Sequence, residues 1–216
     1  EEVLRRQPES IRTFLLQTSI LDRLCAPLCN AVTGRGDGRD MLEILEHSNL
    51  FLIPLDDQRE WYRYHRLFSD VLRANLLGVH PDQAAALHQR ASAWLEQAGS
   101  APEAIRHSLA ARDFERAAVL VERTVPEMRR NRQGATITEL GWLKALPDEM
   151  IRLRPVLSVD LAYALVGNGE LEGVEARLQD AERWLDLADG MPLRSECLAA
   201  GMIVADEEEF RRLPGM

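Results

Sequence analysis

Three groups of residues in this chain have types and spacings that could do chemistry. They are the glycine loop Gly34-Arg35-Gly36-Asp37-Gly38, the pair Cys25 and Cys29, and the polar–aromatic run Trp61-Tyr62-Arg63-Tyr64-His65-Arg66-Leu67-Phe68. A glycine loop can cradle phosphate, but a P-loop also needs a lysine followed by Ser or Thr, entering a helix after an apolar strand. None of those is present, so the loop reads as an interhelical turn. Cys25 and Cys29 stand four apart, on one face of a helix, where His47 or His65 could complete a metal site. Leu24 and Leu28 flank them, so they read as buried free thiols, with Cys197 isolated and no metal expected. No nucleophile–base set or metalloprotease pattern occurs. The chain is expected to carry no catalytic residue.

His65 is the candidate binding residue. It falls where a strand-like alternation ends and a helical pattern begins. Free backbone N–H groups at a helix start favour anions, and an imidazole there can donate a charge-assisted hydrogen bond to a phosphate. The other reading is a histidine that caps its own turn. The residues alone leave both open.

The elements that must position His65 follow from periodicity. Residues 8–30 read as two short helices. The first starts at Pro8, Glu9 and Ser10 and turns Ile11, Phe14, Leu15 and Thr18 inward, while Asp22 reads as the cap of the second. Asp37 or Asp40 opens a third helix with Met41, Leu42 and Leu45 inward. Leu50–Leu55 and Trp61–Tyr64, around the polar turn Asp56-Asp57-Gln58, predict a β-hairpin, and a helix follows from about His65 to Leu77. Three helices, a hairpin and a helix are the order of a winged-helix domain. A DNA-reading version needs Arg, Lys, Asn or Gln on the third helix. Here that helix carries Asp40, Glu43 and Glu46, so no direct nucleic-acid contact is expected.

From Pro81 onward the pattern is helical throughout, with helices at about 84–98, 102–111, from 113, 137–146, 157–166 and 171–187. Gly99 and Gly167-Asn168-Gly169 make the turns, and the small residues Ala104 and Ala118 fall where close packing wants them. This is the spacing of degenerate tetratricopeptide-type hairpins, whose stacked faces bind peptides or ligands. The basic run Arg129-Arg130-Asn131-Arg132 falls at a helix end, where cations meet the C-terminal dipole. The fold class is therefore mainly α: a winged-helix domain with a short β-hairpin over 1–78, then a truncated tetratricopeptide-like helical-hairpin solenoid over 79–216. Truncation leaves Leu198, Met202, Ile203 and Val204 expected to be exposed or poorly ordered.

Composition agrees. The 216 residues are 46% hydrophobic and 28% charged, an ordinary globular balance. No apolar run approaches the roughly 18–20 residues of a membrane span, and no membrane contact is expected. Three cysteines exclude a disulfide scaffold and suit a reducing cytoplasm. A net charge of −9 argues against nucleic-acid binding driven by bulk electrostatics. Only Lys144 is lysine among the 26 basic residues, a bias that reads as GC-rich coding. The chain is expected to be a piece of a longer protein.

Phe14-Leu-Leu-Gln-Thr-Ser-Ile-Leu-Asp-Arg-Leu24, Asn49-Leu-Phe-Leu-Ile-Pro-Leu55 and Trp61-Tyr-Arg-Tyr-His-Arg-Leu-Phe68 together resemble the winged-helix segment of the MalT-like regulators. These are large ATP-binding transcriptional regulators of the LuxR type, within the signal-transduction ATPases with numerous domains. The helices from Pro81 are similar to their tetratricopeptide-like sensor region, and the resemblance covers residues 3–216. It implies a parent protein that binds ATP or ADP through a P-loop ATPase module and closes with a LuxR-type helix-turn-helix, modules these residues do not include. No cofactor is then held by this segment alone. Tyr64-His65-Arg66-Leu67 resembles the Met-His-Asp element, in which the histidine touches the β-phosphate of ADP and holds the closed state. The match carries over to His65 only, because Arg66 stands where that element has aspartate. The resemblance implies a non-enzymatic nucleotide-state switch, with an arm for an inducer or a regulatory protein. The alternative is a self-contained helical-repeat adaptor that binds a protein partner.

Overall fold

Helices form where apolar residues recur at three- and four-residue spacing. The computed structural model describes residues 4, 6–48, 50–79, 81–130 and 136–187. They divide into two compact units between Leu120 and Val121.

The first unit begins with α1 (Glu9–Thr18), α2 (Ala26–Thr33) and α3 (Gly38–His47). Phe14, Leu15, Leu24, Leu45 and Leu72 are fully buried and form its core. Asp22 does not cap α2. The N-cap is Cys25, in extended conformation and without a side-chain cap bond, with proline in the first turn. Asp22 is occupied elsewhere, by the guanidinium groups of Arg73 and Arg106. Cys25 thus lies just outside the helix that carries Cys29. Both thiols are free and buried, and burial pushes both pKa values up.

The glycine loop is a turn that closes on α2. Gly34 ends the helix at φ 72°, a left-handed conformation that costs glycine nothing. Neither Asp37 nor Asp40 caps α3 through its side chain. The Asp37 carboxylate is held by Arg35 at 2.8 Å, and Asn30 Oδ1 instead accepts the Gly38 N–H at 2.7 Å. A Cβ at residue 38 would sit 2.5 Å from that oxygen and 2.8 Å from the Ala26 carbonyl.

The hairpin is present as β1 (Leu52–Pro54) and β2 (Tyr62–Tyr64), antiparallel, with Leu52 opposite Tyr64 and Pro54 opposite Tyr62. Proline is tolerated because β1 is an edge. Leu24 and Tyr62 add an isolated single-residue rung on the other side of β2, exchanging N–H···O bonds of 2.8 Å in both directions. One residue has no period, so this rung leaves no mark in the sequence. α4 (Arg66–Val79) packs on α1, and α5 (Pro81–Gln97) and α6 (Ala101–Ala110) form a hairpin around Gly99, at φ 78°. α5 also packs against α2. Ala104 and Ala118 are fully buried, as their spacing requires. Among the described residues, Ser92 Oγ to Ser108 Oγ at 2.7 Å and His88 Nδ1 to His107 Nδ1 at 2.8 Å are hydrogen bonds across the α5–α6 interface.

The division between units falls within α7 (Phe114–Arg130). The second unit continues with α8 (Thr136–Ala145), α9 (Asp148–Arg152), α10 (Pro155–Gly167) and α11 (Val174–Leu187). α10 packs against both α8 and α11, with Gly169 at φ 75° turning the chain between them. The one-turn α9, too short to show periodicity, starts after Pro147. Arg129 faces inward. It pairs with Asp160 at 2.6 Å and with the buried Glu139 at 3.5 Å, and lies 4.2 Å from the centre of the Tyr163 ring. Burial raises the Asp160 pKa to about 6 despite the opposing pull of Arg129. Arg129 is therefore part of the packing of the second unit. Asn131, Arg132, Cys197, Leu198, Met202, Ile203 and Val204 lie outside the described residues.

Two expectations follow. Gly38→Ala should destabilise the first unit by about 1–3 kcal/mol, the range for overpacking a filled site, read as a lowered urea midpoint at unchanged slope. Burial lowers the pKa of His88 to about 4 and of His107 to about 3, with Arg73 and Arg106 adding to the shift. Both values lie below the unfolded value of 6.5, so the unfolded chain binds more protons across that window. The contribution is complete above pH 6.5 and is lost as pH falls towards the folded values. Urea midpoints should drop on acidification, less steeply in the double variant His88→Leu with His107→Leu.

Candidate functional site

His65 is placed by its neighbours and not by its own ring. Tyr64, one residue earlier, points inward and is almost wholly buried. Its hydroxyl meets Thr18 Oγ1 at 2.7 Å, and Thr18 Oγ1 in turn donates to the Phe14 carbonyl at 2.7 Å. That leaves Tyr64 as the donor of the first bond, and burial drives its phenol pKa upward. Phe68, one turn later, packs its ring against Phe51 at 5.0 Å and edge-on to Tyr64 at 6.0 Å. Between these anchors the His65 N–H donates to the Phe51 carbonyl at 2.7 Å. Its own carbonyl accepts the N–H groups of Phe68 and Ser69 at 2.9 and 3.0 Å.

The backbone of His65 therefore performs the capping. Its imidazole is exposed and forms no hydrogen bond among the described residues. The strand alternation that buries Tyr62 and Tyr64 turns Arg63 outward. Arg66 opens α4 and is also exposed. Neither arginine has an ion pair or hydrogen bond among the described residues. Arg63, His65 and Arg66 are all outward around the start of α4, and the two arginines bring positive charge to a helix N-terminus, where an anion is favoured. The two arginines were not singled out in the sequence. The period-two burial of β2 was the signal that could have found Arg63. Beside this helix start, Phe51 is 47% exposed and Leu67 71% exposed, a share of apolar surface that suits contact with another protein surface.

The other candidates do not join His65. His47 is exposed on α3, where its Nδ1–H donates to the Glu43 carbonyl at 2.7 Å. Cys25 and Cys29 face the core. Among the described residues no group of three or more His, Cys, Asp or Glu is placed to hold a metal ion, and no helix is long and apolar enough to cross a membrane. The exposed polar face of α3 carries Asp40 and Glu43, which repel the phosphates that a recognition helix must approach.

Three helices, an edge hairpin tied to the α1–α2 link, and a helix leading away reproduce the winged-helix order. Residues 1–84 match the family described as the MalT winged helix domain. This segment is a MalT-type winged-helix domain. The MalT-like character extends further along the chain. It is 31% identical over 184 residues to the HTH-type transcriptional regulator MalT of Vibrio campbellii, across 84% of this chain and 20% of that protein. It is 38% identical over 116 residues to MalT of Vibrio cholerae, across 53% of this chain and 13% of that protein. It is also 36% identical over 222 residues to the serine/threonine-protein kinase PknK of Mycobacterium tuberculosis, across 97% of this chain and 19% of the kinase. The chain thus spans a fifth or less of the length of these curated relatives.

The anchor beside His65 is testable. Tyr64→Phe removes one buried neutral hydrogen bond and should cost about 1 kcal/mol. Chemical denaturation should show that loss, while circular dichroism at pH 7 keeps the native helical signal.

Proposed function

We propose that this MalT-like segment is a nucleotide-state switch element of a larger cytoplasmic regulator. The winged helix would present His65 to the phosphates of ADP held by a neighbouring P-loop ATPase module. The observation that carries this reading is the exposed, unengaged imidazole of His65, fixed by backbone bonds between the buried Tyr64 and the half-buried Phe68. Arg63 and Arg66 flank it and supply the positive field that a diphosphate seeks. These residues fit a phosphate but not a whole nucleotide, since no lysine-bearing P-loop accompanies them. ATP and ADP therefore belong to the complete protein, and this segment performs no catalysis of its own. Loss of the ADP contact shifts the population towards the open, ATP-bound form.

Relatives with different outputs support a role upstream of output. Related segments occur in proteins named as a transcriptional regulator and as a protein kinase. DNA reading and phosphoryl transfer would then reside in other modules, including a helix-turn-helix where the output is transcription. The helices beyond α4 would form tetratricopeptide-like repeats that receive an inducer or a regulatory protein. The second unit exposes Ile137, Leu153 and Leu171, large apolar side chains that suit such a partner. The same surface keeps a second reading in play, that of a helical adaptor for a protein partner without nucleotide control.

Calorimetric titration with ADP and ATP separates the two readings, using this chain and a chain extended through the ATPase module. Only the extended chain should bind. His65→Ala should weaken ADP by about tenfold or more, the loss of one charge-assisted hydrogen bond, and leave ATP nearly unchanged. Equal affinity for both nucleotides with and without His65 would leave the adaptor reading.

A further inference from the structure

In the winged helix, α3 and the hairpin turn line a groove of about 650 Å³, together with the start of α2 and Trp94 of α5. That volume lies within the range of roughly 300–1,000 Å³ typical of ligand sites. In a DNA-reading winged helix the third helix and the wing would be the contacting elements, and here both are acidic. α3 sets Arg39 against Asp40, Glu43 and Glu46, and the turn sets Arg59 against Asp56, Asp57 and Glu60. Trp61 and Trp94 are half-buried in the lining. Glu46 accepts the Tyr62 hydroxyl at 3.3 Å and lies 3.4 Å from the largely exposed Arg59. Glu60 is exposed, and its side chain has no partner among the described residues.

Indole rings beside carboxylates recognise a guanidinium, the rings through their π faces and the carboxylates through charge-assisted bonds. We propose that this groove is a docking site for a basic peptide segment of a partner protein, which places an arginine side chain among Trp61, Trp94, Glu43 and Glu60. The charge of both lining elements selects a cationic occupant and rejects nucleic acid. Arg59 already shows the mode in miniature, since its guanidinium approaches Glu46 from the turn. An incoming arginine competes with Arg39, 3.6 Å from Glu43, engages the exposed Glu60 and gains the contact with the rings. The site is separate from His65 and does not depend on nucleotide.

The test is calorimetric titration of the whole chain with the capped peptide Ala-Arg-Ala-Arg-Ala, in about 0.15 M salt so that long-range attraction is screened. Saturable binding is expected, with none for the peptide that carries glutamine in place of arginine. The double variant Glu43→Gln with Glu60→Gln should weaken binding by about tenfold, consistent with the loss of charge-assisted contacts. Glu172→Gln with Glu175→Gln, the same charge change in the second unit, should leave affinity within about twofold, the scale expected for distant exposed charges. His65→Ala should leave it unchanged, so failure here is distinct from failure of the nucleotide reading. Absence of saturable binding, equal losses in the two double variants, or displacement of the peptide by duplex DNA would overturn the proposal.

Discussion

Two hydrogen bonds between Leu24 and Tyr62 hold the winged helix in register. A pair of three-residue strands has little stability alone, and this rung ties it to the link between α1 and α2, whose flanking leucines are in the core. Because strand side chains alternate, fixing Tyr62 fixes everything after it. Tyr64 must enter the core, Arg63 must leave it, and His65 must emerge where the strand gives way to α4. The same rung sets the residue before it: Arg23 lies 5.0 Å from the centre of the Trp61 ring and pairs with Glu103 on α6. A slip of one residue would turn both tyrosines to solvent and lose the Tyr64–Thr18 bond.

Arginine does the joining elsewhere in the first unit. Ion pairs such as Arg106 with Asp22 are largely exposed, and exposed pairs are worth little singly. The bonds to backbone carbonyls carry more structural meaning. Arg73 Nε donates to the Ser19 carbonyl at 2.7 Å and Arg90 donates to the Val32 carbonyl at 3.0 Å. Both carbonyls lie at helix C-termini, where the last turns leave acceptors without intrahelical donors and a cation meets the negative end of the dipole. Two helix ends of the winged helix are thus completed by side chains from α4 and α5. A lysine has no planar fork to serve a carbonyl and a carboxylate together, as Arg73 does with Ser19 and Asp22.

Much of this was legible in the sequence, for reasons that differ by element. The helices from Glu9 to Val79 and the hairpin appear where apolar spacing and the Asp56-Asp57-Gln58 turn put them. Gly99 and Gly169 marked their turns because each adopts a left-handed backbone. The caps were not legible. Asp22 and Asp37 have the residue type of a cap, but arginines distant or adjacent in the chain claimed their carboxylates first, and Asn30 reached across a loop to serve Gly38 instead. Exposure of His65 could not be read either, since a capping histidine and a presented one occupy the same position in the pattern. The basic run falls at the end of α7, as its position indicated, but the pairing of Arg129 with Asp160 could not be read, because that partner lies a helix and more away in sequence.

The contact between His88 and His107 joins the same nitrogen on both rings. A neutral imidazole carries one proton on one of its two nitrogens, so one ring must hold its proton at Nδ1 and give it, while the other must hold its own at Nε2 and receive. Two identical side chains become chemically unlike, and the hairpin acquires a direction that its helices do not specify. Reversing that direction takes a proton off one ring and onto the other at both ends. The interface between α5 and α6 is fastened in one of two mirror assignments of the same atoms.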